Sequence, residues 1–274
     1  MHGILEPLQY GFIQRALLAS MLVGISCSLL GVYVVLRRIS NTGHALTHSA
    51  LPGIVIAFMF GGNLFLGALV ATLWTAIMIG FLSKEDKVYE DTATGMMPTI
   101  MLALGVLLIS STKSYRDMSS MLFGNILGVT SGDLVMIAVI TVFIVGVLIL
   151  CHKEFQLFCV DKDYARTIGI NVDVLRHVLL VLLSLSVVTG IQATGAILTN
   201  ALLVVPTAAA RLVTNRLVPL TITAVTMTMV CCVAGVYCSY YFGLSSGASI
   251  VLCCALCFGV CWAFRTVQNK KSML

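Results

Sequence analysis

Two histidines four residues apart, His44 and His48, stand in the polar stretch Asn41-Thr42-Gly43-His44-Ala45-Leu46-Thr47-His48-Ser49-Ala50, which runs on into Leu51-Pro52-Gly53. On a helix, that spacing places one imidazole above the other on a single face, with Asn41 and Thr47 beside them. Two imidazoles so placed form a ligand pair for one divalent metal ion. The competing reading is that they donate hydrogen bonds between packed helices. Pro52-Gly53 follows one turn later. Because proline removes a helical hydrogen bond, the pair is expected to break the helix and leave carbonyls as extra ligands or as a gate, the alternative being a simple kink.

The element carrying these residues must sit in a membrane. The 274-residue chain is 59% hydrophobic and 10% charged, with a mean hydropathy of +1.04. A water-facing domain carries roughly a quarter charged residues. The charges are also clumped, leaving 39–83, 177–210 and 217–264 without any. Each run suits one or two membrane spans, since ~20 apolar residues cross the hydrocarbon core. A soluble enzyme, a disordered chain and a nucleic-acid binder are excluded, and polar side chains at membrane depth point to function.

Apolar runs predict nine helices, at about 16–36, 40–60, 64–82, 93–112, 133–151, 177–195, 197–210, 218–241 and 247–264. The fold expected is an all-α polytopic bundle of about 8–9 spans, forming one transmembrane domain over 1–274, with the second span broken. The short 197–210 segment is a candidate partial or re-entrant helix. With the C-terminus placed inside, Arg37, Arg38, Lys84, Lys87, Lys153, Lys162, Arg166, Arg176, Arg211, Arg216, Arg265, Lys270 and Lys271 all fall in inner segments. Only Arg15, Lys113 and Arg116 do not, so the positive-inside rule orients the chain. The N-terminus is then outside if all nine segments cross. Its first residues carry no basic cluster before the apolar stretch, which argues against a cleavable signal peptide. Counted from Arg38, His48 lies ten residues in, about 15 Å deep at 1.5 Å per residue, near the midplane where transporters hold substrate.

Seven of the ten cysteines, Cys231, Cys232, Cys238, Cys253, Cys254, Cys257 and Cys261, fall in the last two spans. Cys253, Cys257 and Cys261 share one helix face, readable as a soft-metal relay or as small apolar residues packing between helices. The sequence has no G-x-x-x-x-G-K-[ST] loop, so nucleotide-driven work needs a separate subunit, and H-E-x-x-H and G-x-S-x-G are also absent. Asp133 lies at a predicted outer boundary and every other acid is in a loop or terminus, which disfavours an internal carboxylate relay. The 152–176 loop contains Val160-Asp161-Lys162-Asp163-Tyr164-Ala165-Arg166-Thr167-Ile168-Gly169-Ile170, a helix-forming run with a Gly stop. It reads equally as a cytoplasmic docking helix or as a solvated connector held near lipid by its basic residues.

These residues together resemble the membrane permease of the ATP-binding-cassette importers that take up manganese, zinc or iron in bacteria. The likeness runs from Leu36-Arg37-Arg38 to Ser246-Gly247. Where the family has Asp-Ala-x-Ser-His-x-x-Leu-Pro-Gly, this chain has His44-Ala45-Leu46-Thr47-His48-Ser49-Ala50-Leu51-Pro52-Gly53. Leu122-Phe123-Gly124-Asn125-Ile126-Leu127-Gly128, the loop Asp161-x-Asp163-x-Ala165-Arg166-x-x-Gly169, and Gly195-Ala196-Ile197-Leu198-Thr199-Asn200-Ala201-Leu202-Leu203-Val204-Val205-Pro206 followed by Ala208-Ala209-Ala210-Arg211 match as well.

The resemblance implies a transport subunit of the bacterial inner or plasma membrane with no catalytic residues and no permanently bound cofactor. Its expected partners are a cytosolic ATP-binding subunit, an extracytoplasmic metal-binding protein, and a second copy or a paralogue of the permease. It places the transported metal on His44 and His48, with His44 replacing the family's Asp. Coupling to the ATPase falls on Asp161, Asp163, Ala165, Arg166 and Gly169, and Pro52 and Gly53 form the gate. Gly190, Gly195 and Pro206 allow breaks near a pathway wall. Imidazole suits zinc, iron and nickel better than manganese, whereas Leu51-Pro52-Gly53 resembles the manganese-type permeases. Manganese is the expected cargo, with zinc and iron open. The alternative is a metal channel or secondary transporter that has no ATPase partner.

Overall fold

A computed structural model of the chain describes residues 9–83, 89–111, 128–160, 162–214 and 216–271. The described residues form helices α1 (Gly11–Leu36), α2 (Asn41–Met59), α3 (Leu64–Leu82), α4 (Glu90–Ser111), α5 (Ser131–Leu150), α6 (His152–Val160), α7 (Lys162–Thr167), α8 (Val172–Thr194), α9 (Ala196–Val213), α10 (Leu217–Phe242) and α11 (Ser246–Lys271). Among the described residues there is no strand. Lys84, Lys87, Lys113, Arg116 and the 122–127 part of the Leu122–Gly128 motif lie outside them.

Eight helices, all the long ones except α2, are apolar and long enough to cross a membrane. The 197–210 segment extends to the 18-residue α9, so it is one of those eight and not a partial helix. At 1.5 Å per residue α9 is about 27 Å long. α2 has 19 residues but carries Asn41, Thr42, His44, Thr47, His48 and Ser49 in its first half. It packs against α3, α4, α8 and α9, which cover Thr42, Thr47 and Ser49.

Pro52 does not break α2, which runs unbroken from Asn41 to Met59. Proline removes only the bond its own N–H would have made to the carbonyl four residues back, that of His48. Gly53 serves a different need. It faces Gly67 of α3 so closely that a Cβ on either would collide with the other's backbone carbonyl. Without a hydrophobic drive between helices in lipid, such small-residue crossings supply the packing.

The real chain reversal is Gly195, the single residue between α8 and α9. Its φ of 90° and ψ of 160° belong to a region only glycine occupies readily. Gly190, inside α8, lets Thr199 of α9 fold back against it. Pro206 sits within the continuous α9.

Around α1 the bundle is held by hydroxyl pairs as well as apolar packing. Ser28 meets Thr228 of α10 at 2.5 Å, and Ser186 of α8 donates to Ser26 at 3.2 Å. Hydrogen bonds of this kind serve membrane helices because no water competes for them.

Basic residues tie the helix ends together on one side of the bundle. Arg211 donates to the Val35 carbonyl at 3.0 Å, Arg265 to the Arg211 and Leu212 carbonyls at 3.2 Å, and buried Arg176 to the Ser83 carbonyl at 2.9 Å. Each guanidinium thus satisfies carbonyls at the C-terminal end of another helix, where the helix dipole also favours a cation. The opposite end is marked by Gln192 donating to Asp133 at 3.2 Å and by Tyr10 stacking near Tyr240. The ends therefore segregate as the charge pattern requires.

Candidate metal site

His44 and His48 lie on one face of α2 with their Nε2 atoms 3.1 Å apart and their rings edge to face. Two nitrogens bound to one tetrahedral ion at about 2.0–2.1 Å lie roughly 3.3 Å apart, so the pair is close to ligand geometry as it stands. His44 is exposed and His48 half-buried, so the pair opens outward from the subunit. His48 is the eighth of the 19 residues of α2, close to mid-helix. Helix α2 starts at Asn41 because Arg38 turns the chain at a positive φ of 61°. His48 thus lies seven residues, about 10 Å, beyond the start of α2.

Helix α9 completes the site from the side. Gly43 has Leu203 packed where a Cβ would stand, with Asn200 Oδ1 at 3.6 Å. That close approach brings Asn200 Nδ2 to 3.2 Å from His44 Nδ1. Thr47 Oγ1 donates to Asn200 Oδ1 at 3.1 Å and to the Gly43 carbonyl at 2.9 Å. Sequence reading leaves Asn200 without a role. The signal that marks it is an amide inside the charge-free 177–210 run, where a polar group needs a partner.

No three His, Cys, Asp or Glu side chains converge among the described residues, so one subunit offers two imidazoles and no carboxylate. Asp133 is occupied elsewhere, in a capping box with Thr130 and by Gln192. The cysteines are free thiols, and those of α10 and α11 form no metal-binding group among the described residues. Cys231, Cys232 and Cys254 are buried between helices, where a thiol packs as a small apolar group. Pro52 and Gly53 are buried in the α2 wall and bring no carbonyl break to the pair.

The 152–176 loop is two short helices, α6 and α7, with Asp161 between them and outside the described residues. In α7, Ala165 is buried, while Asp163 and Arg166 face outward with Tyr164 and Ile168. Gly169, at φ 88°, ends the helix by donating to the Arg166 carbonyl at 3.1 Å. Helix α6 buries Phe155 and Phe158. Phe155 packs on Tyr33 of α1 at 5.3 Å between ring centroids, and the Arg37 guanidinium lies 3.9 Å above the Phe158 ring. The outward-facing α7 is thus joined through α6 to the end of α1, directly before the turn into α2.

Comparison with known proteins gives concordant results. The model of the ABC 3 transport family matches residues 9–265. The manganese transport system membrane protein MntC of Listeria innocua is 38% identical over 262 residues, covering 96% of this chain and 94% of that protein. A probable iron transport system membrane protein of Haemophilus influenzae is 35% identical over 267 residues, covering 97% and 98%. Among solved structures, PsaBC from Streptococcus pneumoniae in complex with Fab is 33% identical, with a TM-score of 0.83 and 94% of each chain covered.

Proposed function

The chain belongs to the ABC 3 transport family, and from that membership we propose that it is the permease subunit of an ATP-driven importer of a divalent transition metal. It is a multi-pass protein of the bacterial plasma membrane, with eight helices among the described residues long and apolar enough to cross it. The proposed cargo is manganese, the metal named for several of its relatives, with iron and zinc as the competing cargoes.

The observation that carries the reading is the 3.1 Å separation of the His44 and His48 Nε2 atoms on an open face of α2. An extracytoplasmic metal-binding protein delivers the ion at the outer face. Two permease subunits meet with their His44/His48 faces toward a shared axis, and up to four imidazoles hold the ion without a carboxylate. A softly held, uncompensated cation leaves readily, which suits a transit site better than a storage site. The ATP-binding subunit engages α7 through Asp161, Asp163, Arg166 and the exposed Tyr164. Its closure pushes α6 against Tyr33 and Arg37 and so tilts the start of α2, opening the pair to the inside.

Uptake of isotopic manganese into proteoliposomes holding the permease and its ATPase tests this. The His44→Ala/His48→Ala variant is expected to fold, retain its ATPase partner and lose uptake. Normal uptake by that variant overturns the assignment.

A further inference from the structure

The geometry points to Asn200 as the residue that sets which nitrogen of His44 faces the metal, its side-chain amide turning over when the ion arrives. This rests on the reading of His44 and His48 as the metal ligands.

The amide NH2 can only donate, so with Asn200 Nδ2 at 3.2 Å from His44 Nδ1 the ring accepts there. A neutral His44 then carries its proton on Nε2 and donates it to His48 Nε2 at 3.1 Å. In this arrangement the metal-facing nitrogen of His44 has no lone pair to offer, and that of His48 is already engaged. The site is closed to a cation by its own hydrogen bond.

The other side of the amide supplies the switch. Asn200 Oδ1 accepts from Thr47 Oγ1, yet the same hydroxyl lies within 2.9 Å of the Gly43 carbonyl. The Gly43 carbonyl already accepts the helical Thr47 N–H, so the one hydroxyl proton can go to either acceptor. Turning the amide over exchanges Oδ1 and Nδ2. His44 Nδ1–H then donates to Oδ1, Nδ2–H donates to Thr47 Oγ1, and the Thr47 hydroxyl is left to Gly43. Every partner is served and His44 Nε2 is bare. The ring loses a proton at one nitrogen and gains one at the other, so net charge is unchanged. Exposed His44 can make that exchange through water.

Two bare Nε2 lone pairs this close repel each other unless a cation lies between them. The turned arrangement is therefore the loaded one, and the unturned arrangement is the empty one. Metal-ligating histidines are generally oriented by whatever their second nitrogen bonds to. Here that partner is ambivalent, able to donate or accept, and a carboxylate or a backbone carbonyl would not be.

The test uses the permease with its ATPase in nanodiscs, labelled with 15N-histidine, with zinc as a diamagnetic probe. The chain has five histidines, and His44→Gln assigns the resonance. His44 is expected to be protonated at Nε2 without zinc and at Nδ1 with it. Asn200→Asp, which only accepts, should hold the proton on Nδ1 even without zinc and tighten zinc binding about tenfold. Asn200→Leu should weaken it about 10–100-fold. The proposal is overturned if zinc-loaded His44 keeps its proton on Nε2, or if metal-free Asn200→Asp does. A shift at His48 with none at His44 defeats the amide switch alone, whereas zinc that moves neither ring defeats the metal-site reading beneath it.

Discussion

Gly53 of α2 and Gly67 of α3 meet backbone to backbone, each occupying the space a Cβ of the other would need. The crossing lies one turn beyond His48 and anchors the helix that carries the histidine pair. A side chain at either position must separate the helices, because the obstacle is main chain and cannot rotate away. Gly67→Leu is expected to destabilise the protein by about 1–3 kcal/mol, the usual range for overpacking. Gly146→Leu, at a position with nothing within 4 Å, should leave stability unchanged. Thermal unfolding of the two purified variants in detergent separates the cases, and equal melting temperatures would refute the crossing.

Arg176 is almost wholly buried, donates to the Ser83 carbonyl and lies 3.4 Å from Asp173. It occupies the C-terminal end of α3 and the first turn of α8 at once. Arg176→Met keeps much of the stem and removes the donor, leaving a carbonyl at a helix end without it. A loss of about 1–3 kcal/mol is expected. Arg176→Lys should recover only part of that, since an ammonium lacks the forked geometry. Melting curves of both variants are the measurement.

The long helices were legible because hydropathy is a property of segments, each summing many residues. The histidine pair was legible because four residues fix a shared helix face regardless of tertiary context. Two features were not. Pro52-Gly53 read as a break, but Gly53 answers to Gly67, which only the fold brings opposite. Asn200 reaches His44 from 156 residues away, a contact that no local pattern encodes.

Cys159 near the end of α6 tests whether that helix is seated against α1. Burial pushes its thiol up to about 12, although the nearby Arg37 guanidinium pulls the other way. The thiolate is the reactive form, and a raised value keeps it scarce at neutral pH. Maleimide labelling of Cys159 in the folded transporter should stay slow at pH 8, whereas the unfolded chain labels readily near pH 8.5. Fast labelling of the folded protein at pH 8 would show that α6 is not seated.

Phe158 is where the proposed coupling can be cut without touching the metal pair or the docking face. Its ring is 1% exposed and sits under the Arg37 guanidinium, six residues before Gly43. Phe158→Leu keeps an apolar side chain and loses the ring face, so it removes a cation–π contact of about 0.5–2 kcal/mol with little packing loss. If α6 carries motion from α7 to α2, this variant should still bind the ATPase and hydrolyse ATP while importing less metal per ATP consumed. Measuring isotopic manganese uptake and phosphate release in the same proteoliposomes gives that ratio. Parallel loss of both activities would indicate damage to assembly, and an unchanged ratio would mean that α6 does not transmit the stroke.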